Sequence, residues 1–208
     1  MSASSGYMVP MTTDRLENVI GGSRFIATAG RAETVDDAKT FIHNLRQEMP
    51  DATHHVYAFR VGHGASVIEG MSDDGEPSGT SGPPTLAVLR GSGIGDIVVV
   101  ITRYFGGTKL GTGGLTRAYG DSTKSILGVL SIERKVLYKT LFAQMPYVFF
   151  ASIERLVPAF EGFIDEREFV DDVRLIIRVP DGKQSAFVAA VVEMTSGIVS
   201  PTPFDDDT

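Results

Sequence analysis

Two stretches of the chain concentrate residues that could do chemistry. The first is Asp73-Asp74-Gly75-Glu76-Pro77-Ser78-Gly79-Thr80, where three carboxylates and two hydroxyls crowd between turn formers. Carboxylates so close together can hold Mg²⁺ against phosphate oxygens. They can also accept hydrogen bonds from an arginine or from backbone N–H groups, which would lock two loops together. The plain alternative is a pair of turns, because Asp-Gly is a turn dipeptide and Glu-Pro forces an extended approach. The second stretch is Arg103-Tyr104-Phe105-Gly106-Gly107-Thr108-Lys109-Leu110-Gly111-Thr112-Gly113-Gly114, followed by Arg117. A strand that empties into a glycine loop and then a helix presents bare N–H groups and a partial positive charge to an anion. Arg103, Lys109 and Arg117 add full charges, and Tyr104, Phe105 and Tyr119 offer rings for stacking on bases. The plain alternative here is that the glycines let a strand and a helix approach closely.

Familiar catalytic patterns are missing. Gly106 and Gly111 have Walker spacing, yet Thr112 and Gly113 stand where Lys and Ser/Thr are required. No dinucleotide fingerprint, G-x-S-x-G elbow or H-E-x-x-H motif occurs. His54 and His55 fall on opposite faces of a strand and so read as ordinary histidines rather than joint metal ligands.

The elements around these stretches follow from pattern. Ser23–Gly30 is β-rich. Thr34 is an N-cap with Asp37 three residues on, and Val35, Ala38, Phe41/Ile42, Leu45 and Met49 recur at helical spacing, so a helix is expected over about 35–48. His55–Gly62 and a short segment near Ile68 read as strands. Ser81-Gly82-Pro83-Pro84 opens a helix that should close at Gly91. Asp96–Phe105 is almost continuously apolar and β-branched, the mark of a strand covered on both faces. Five glycines from Gly106 to Gly114 predict a loop, with a helix from Leu115. The chain divides near residue 136, where a strand over residues 135–148 begins, followed by a helix near Phe150–Val157. Two strands joined at Val170–Asp172 follow, then a helix begun by an Asp181/Gln184 capping box, and a final strand. That βαββαβ order is ferredoxin-like.

Composition bounds the rest. The chain has 208 residues, 42% hydrophobic and 22% charged, enough for a real core in one or two domains. Without cysteine there is no disulfide, thiolate zinc site or thiol nucleophile, which fits a reducing compartment. No apolar run reaches the roughly 20 residues that span a bilayer, and no secretory leader is visible, so the cytoplasm is the expected location. The net charge is −7, but residues 1–136 carry only −1; the remainder, with Asp205, Asp206 and Asp207, carries −6. An anion-binding face would therefore have to be local to residues 103–124.

"SDDGEPSGTSGPP" followed by "VVVITRYFGGTKLGTGGLTRAYG" resembles the signature of the YigZ/IMPACT family. Ser23–Ala27 and Ala52-Thr53-His54 also fit, so the likeness runs from about Arg15 onward. The matching motif positions are Asp73 to Thr80, Arg103, Tyr104, Gly106, Gly107, Lys109, Gly111, Gly113, Gly114 and Tyr119. His55 and Val56 depart from the family's Asn and Cys, and Asp121 replaces a small residue. The resemblance implies an α+β protein with two-layer packing. Residues 1–136 would share a fold with a small-subunit ribosomal protein and with domain IV of elongation factor G. Residues 137–208 would be ferredoxin-like. Eukaryotic relatives regulate translation through an extra N-terminal domain, so that role is not carried over.

The expectation from residues and resemblance together is a non-enzymatic, translation-associated regulator that binds RNA or the ribosome. Its groove would involve Asp73, Asp74, Glu76, Ser78, Thr80, Arg103, Tyr104, Gly106, Gly107, Lys109, Gly111, Gly113, Gly114 and Arg117. It needs no cofactor. The alternative is a Mg²⁺-dependent enzyme acting on a nucleotide or phosphorylated small molecule. A third option is a protein partner docked on the edge of the second domain.

Overall fold

The computed structural model describes residues 6–204; the acidic run Asp205–Asp207 lies outside them. The chain divides into two compact units, Tyr7–Lys135 and a second built from Val136 onward together with Gly6.

The larger unit contains β1 (Gly6–Pro10), β2 (Asp14–Ile20), β3 (Ser23–Arg31), α1 (Val35–Glu48), β4 (His54–Val61), β5 (Ile68–Ser72), α2 (Gly82–Ser92), β6 (Ile97–Tyr104), α3 (Gly111–Val129) and β7 (Ile132–Val136). Five strands form one antiparallel sheet in the order β2-β3-β6-β4-β5, and β1 pairs with β7. β6 is central, and every residue from Ile97 to Arg103 is buried. Because side chains alternate along a strand, β6 feeds two cores. Ile97, Val99 and Ile101 join Phe25, Ala27, Val56 and Ala58 beneath α2 and α3. Val98 and Val100 join Ile26, Phe59, Ile42 and Leu45 beneath α1. The sheet with α2 and α3 makes the expected two layers, and α1 adds a third on the other face.

Local signals explain most boundaries. Thr34 Oγ1 accepts from the Asp37 N–H while Asp37 accepts from the Thr34 N–H, a complete capping box at the start of α1. α2 carries Pro early in its first turn, runs past Gly91 and closes at Gly93, which takes the left-handed conformation at φ 71°. β1 and β2 were not anticipated. β2 is half exposed at the sheet edge, so its weak alternation gave little signal.

The smaller unit contains β8 (Tyr138–Met145), α4 (Tyr147–Ala159), β9 (Phe163–Phe169), β10 (Val173–Pro180), α5 (Gln184–Met194) and β11 (Thr202–Pro203). Its sheet is antiparallel in the order β11-β8-β10-β9, the ferredoxin-like arrangement. Leu141, Ala143, Leu175 and Ile177 pack beneath Ile153, Val157, Phe187 and Val191. The single strand expected over residues 135–148 is broken after Val136 into β7 and β8. The Asp181/Gln184 capping box does not form: residues 181–183 make a 3₁₀ turn instead, and no side chain caps α5. Among the described residues, no helix is long and apolar enough to cross a membrane.

Candidate anion-binding groove

Strand parity decides which residues meet. Arg103 has the same parity as Ile101 and Val99, so it points to the α2/α3 side of β6, whereas Tyr104 packs on the α1 side. The register places Phe25 of β3 and His54 of β4 directly beside Arg103. The guanidinium lies 5.3 Å from the Phe25 ring centre and 5.6 Å from that of Phe105. It is held from both sides. Nη1 donates to Glu76 Oε1 at 2.6 Å and Nη2 to Ser23 Oγ at 3.2 Å. The hydroxyl of Tyr119, on α3, donates to the same Glu76 oxygen at 2.7 Å. Burial and the Glu76 carboxylate push the Tyr119 hydroxyl's pKa far above its ordinary range, so it stays a donor. His54 Nε2 stands 3.8 Å from the other Glu76 oxygen.

The other two carboxylates are also engaged. Asp73 accepts from the N–H groups of Gly79, Ser81 and Gly82 and from the Ser81 hydroxyl, at 2.8–3.1 Å. It thereby caps α2 from a distance, a role that Ser81's own side chain does not fill. Burial alone would raise its pKa, but these donors hold the carboxyl below its usual value. Asp74 sits at φ 46° ahead of Gly75 at φ 86°, the turn that the Asp-Gly pair implied. Its oxygens accept from the His55 N–H and from Arg46 Nη2, both at 2.6 Å, and its carbonyl lies 2.8 Å from His54 Nδ1. Ser78 is exposed, while Thr80 is buried and donates to the Pro77 carbonyl at 2.6 Å.

The second stretch differs from expectation in one way that matters. α3 starts at Gly111, four residues before Leu115, so Gly111, Gly113 and Gly114 form its first turn. The first-turn N–H groups have no acceptor within a helix. Here no side chain caps them, and no acidic residue occupies the turn. The glycines serve different purposes. A Cβ on Gly106 would come 1.9 Å from the Gly22 carbonyl oxygen, so this residue permits contact with the β2–β3 turn. Gly107 and Gly111 have φ of 86° and 71°. Gly113 has neither need: its φ is ordinary, and a Cβ would meet open space.

The two stretches meet in a groove of about 340 Å³ lined by Glu76, Pro77, Arg103, Phe105, Lys109, Leu110, Gly111, Thr112 and Leu115. Of the residues expected there, Glu76, Arg103, Lys109 and Gly111 line it, with Gly113 and Gly114 in the adjoining turn of α3. Asp73, Asp74, Ser78, Thr80, Tyr104, Gly106, Gly107 and Arg117 do not. Arg117 is exposed further along α3, and Tyr104 donates its hydroxyl to Asp51 on the opposite face. Pro77, Leu110, Thr112 and Leu115 carry no distinctive chemistry, and only the tertiary fold identifies them as walls. Glu76 and Arg103 cancel, so the lining keeps the charge of Lys109 and the partial charge of the helix start. Among the described residues Lys109 and Arg117 have no ion-pair partner. No cluster of three metal-ligating side chains is present among them either.

The sequence motifs that form this groove belong to a recognisable group. The Impact N-terminal domain family matches residues 21–127, and a domain of unknown function (DUF1949) matches residues 144–197. The chain belongs to the IMPACT family. It is 36% identical to the IMPACT family member YigZ of Escherichia coli (strain K12) over 92% of this chain and 94% of that one. The IMPACT family member YvyE of Bacillus subtilis (strain 168) is 35% identical, covering 87% and 83%. A crystal structure of a hypothetical protein superposes with a TM-score of 0.70 at 35% identity, over 97% of this chain and 98% of that one. The two-domain α+β architecture is thus a property shared with a solved structure.

Proposed function

We propose that this IMPACT family chain is a non-enzymatic, translation-associated regulator that binds RNA or the ribosome through the groove between the 73–80 loop and the start of α3. One observation carries the reading. An uncapped, acid-free helix start lies beside Lys109, in a groove whose only carboxylate is already paired with Arg103. Backbone N–H groups and a lysine suit phosphate oxygens of any sequence. The alternative of a Mg²⁺-dependent enzyme needs carboxylate oxygens free to face a cation. Both oxygens of Asp73 and of Asp74 are instead engaged with protein donors, and Glu76 Oε1 accepts from Arg103 and Tyr119.

Fluorescence anisotropy with a labelled single-stranded RNA tests the proposal. Two or three phosphate contacts correspond to a slope of about −1.5 to −2 in log affinity against log salt. Lys109→Glu should weaken binding about tenfold. An isotherm that ignores both salt and this substitution would remove the proposal.

A further inference from the structure

We infer that the open face of the smaller unit's sheet docks a basic, apolar segment of a partner protein. Side chains alternate along β8 and β10, and Leu141, Ala143, Leu175 and Ile177 face α4 and α5. Phe142, Gln144, Arg174 and Ile176 therefore point the other way. Register sets them in rows: Ile176 lies between Phe142 and Glu166, and Arg174 lies between Gln144 and Glu168. These six residues line a cavity of about 590 Å³. Half-buried Phe142 and Ile176 form its floor, and the ring of Phe204, just past β11, lies 6.4 Å from that of Phe142. Further along the same face Tyr138 and Phe163 meet edge to face across β10, with ring centres 5.2 Å apart.

Charge decides what such a face can hold. Aromatic rings on a four-stranded sheet can stack on RNA bases, but RNA binding also needs cations left free for phosphate. Here each arginine of β9 and β10 has an acid of its own: Arg167 pairs with Glu154, Arg174 with Glu168 and Arg178 with Asp165. Glu166 is left over. Among the described residues no cation pairs with it, and it stands in one row with the apolar floor. Residues 137–208 carry a net −6, so the surroundings repel phosphate and attract cationic side chains. A matching segment lays apolar side chains over Phe142 and Ile176 and brings a lysine or arginine to Glu166. The edge strand β9 is a poorer dock. A bulge at Asp165 interrupts its ladder with β10, and charged side chains crowd it, both of which discourage strand addition.

Fluorescence anisotropy of the whole chain with a labelled peptide of alternating leucine and lysine tests this, beside its leucine–glutamate counterpart and a labelled single-stranded RNA. The lysine peptide should bind and the glutamate peptide should not. Glu166→Lys should weaken binding at least about tenfold, because like charges then face each other. Ile176→Thr removes apolar contact from the floor and should weaken it about fivefold. Glu193→Lys makes the same charge change at an exposed position on α5, behind the sheet, and should leave affinity within about twofold. Amide chemical shifts of the unsubstituted chain should move on β8 and β10 and hold still on α4 and α5, a readout that needs no variant to fold. Equal weakening by Glu166→Lys and Glu193→Lys overturns the inference, since net charge alone then holds the peptide. Absence of peptide binding overturns it, as does binding that ignores Ile176→Thr or shifts that move elsewhere. RNA binding weakened by Ile176→Thr overturns it too and makes the face a stacking platform for bases.

Discussion

Arg103 Nη1 lies 2.6 Å from Glu76 Oε1, with 6% and 3% of the two side chains exposed, across 27 positions of sequence. This one contact fastens the 73–80 loop to the end of β6 and leaves the groove between them. It also removes the carboxylate's charge from a surface that would otherwise repel phosphate. Two charges taken out of water gain little net stability as a pair, yet breaking the pair strands one of them.

The first prediction follows. Arg103→Ala should destabilise the protein by about 3–5 kcal/mol, because Glu76 is left buried and charged. A double substitution that leaves no buried charge but keeps an acceptor for the Tyr119 hydroxyl, Arg103→Met with Glu76→Gln, should recover much of that loss. Urea denaturation followed by far-ultraviolet circular dichroism measures both. A double variant no more stable than Arg103→Ala would show that the pair does more than balance charge.

Asp73 gives a prediction in pH. Its folded-state pKa is depressed by the donors at the start of α2, so its stabilisation is complete above the unfolded value of about 3.9 and is lost as pH falls through the folded value. The melting temperature of Asp73→Asn should therefore sit below that of the unsubstituted chain at pH 7. The gap should close as pH drops below about 4. A gap that stays constant through the acid range would mean that the carboxylate's charge contributes nothing.

Much of this arrangement was legible in the sequence, for identifiable reasons. β6 announced itself because a strand covered on both faces must be apolar throughout, and α1 because its cap and stripe agree. The smaller domain followed from the order of its elements. The start of α3 was misplaced because glycine disfavours helix interiors but not the first turn, where the N–H groups are free in any case. The carboxylates of Asp73 and Asp74 looked like ligand-facing groups, since composition cannot show where acceptors find their donors. Tyr104 and Arg103 differ by one position and hence by a whole face of the sheet, a distinction that needs the register.

His55 supplies a second pH effect on the other face. It is buried, with Nε2 at 3.1 Å from the Met49 carbonyl and Nδ1 at 3.1 Å from Thr102 Oγ1. Burial lowers its pKa below the ordinary 6.5 despite the Met49 carbonyl. A histidine depressed in the folded state contributes stability above its unfolded pKa, and loses it as pH falls through the folded one. Stability should thus begin to decline below about pH 6.5, and His55→Gln should flatten that decline in thermal melts between neutral pH and pH 5. An unchanged slope would place the proton uptake elsewhere.

The glycines of the second stretch separate structure from binding. Gly106→Ala forces a Cβ to within 1.9 Å of the Gly22 carbonyl oxygen, a backbone atom that cannot swing away. It should destabilise by several kcal/mol, on the order of an overpacked core or more. Gly113→Ala meets nothing within 4 Å and keeps an ordinary φ, so the helix should gain about 0.4–1 kcal/mol from the stiffer unfolded chain. On the proposed reading, bare backbone in the first turn of α3 serves phosphate. Gly113→Ala should accordingly raise the midpoint of urea denaturation while lowering RNA affinity several-fold, because the added methyl stands over N–H groups that must reach phosphate. A variant that is more stable and binds as well as before would deprive the helix start of its role in the groove.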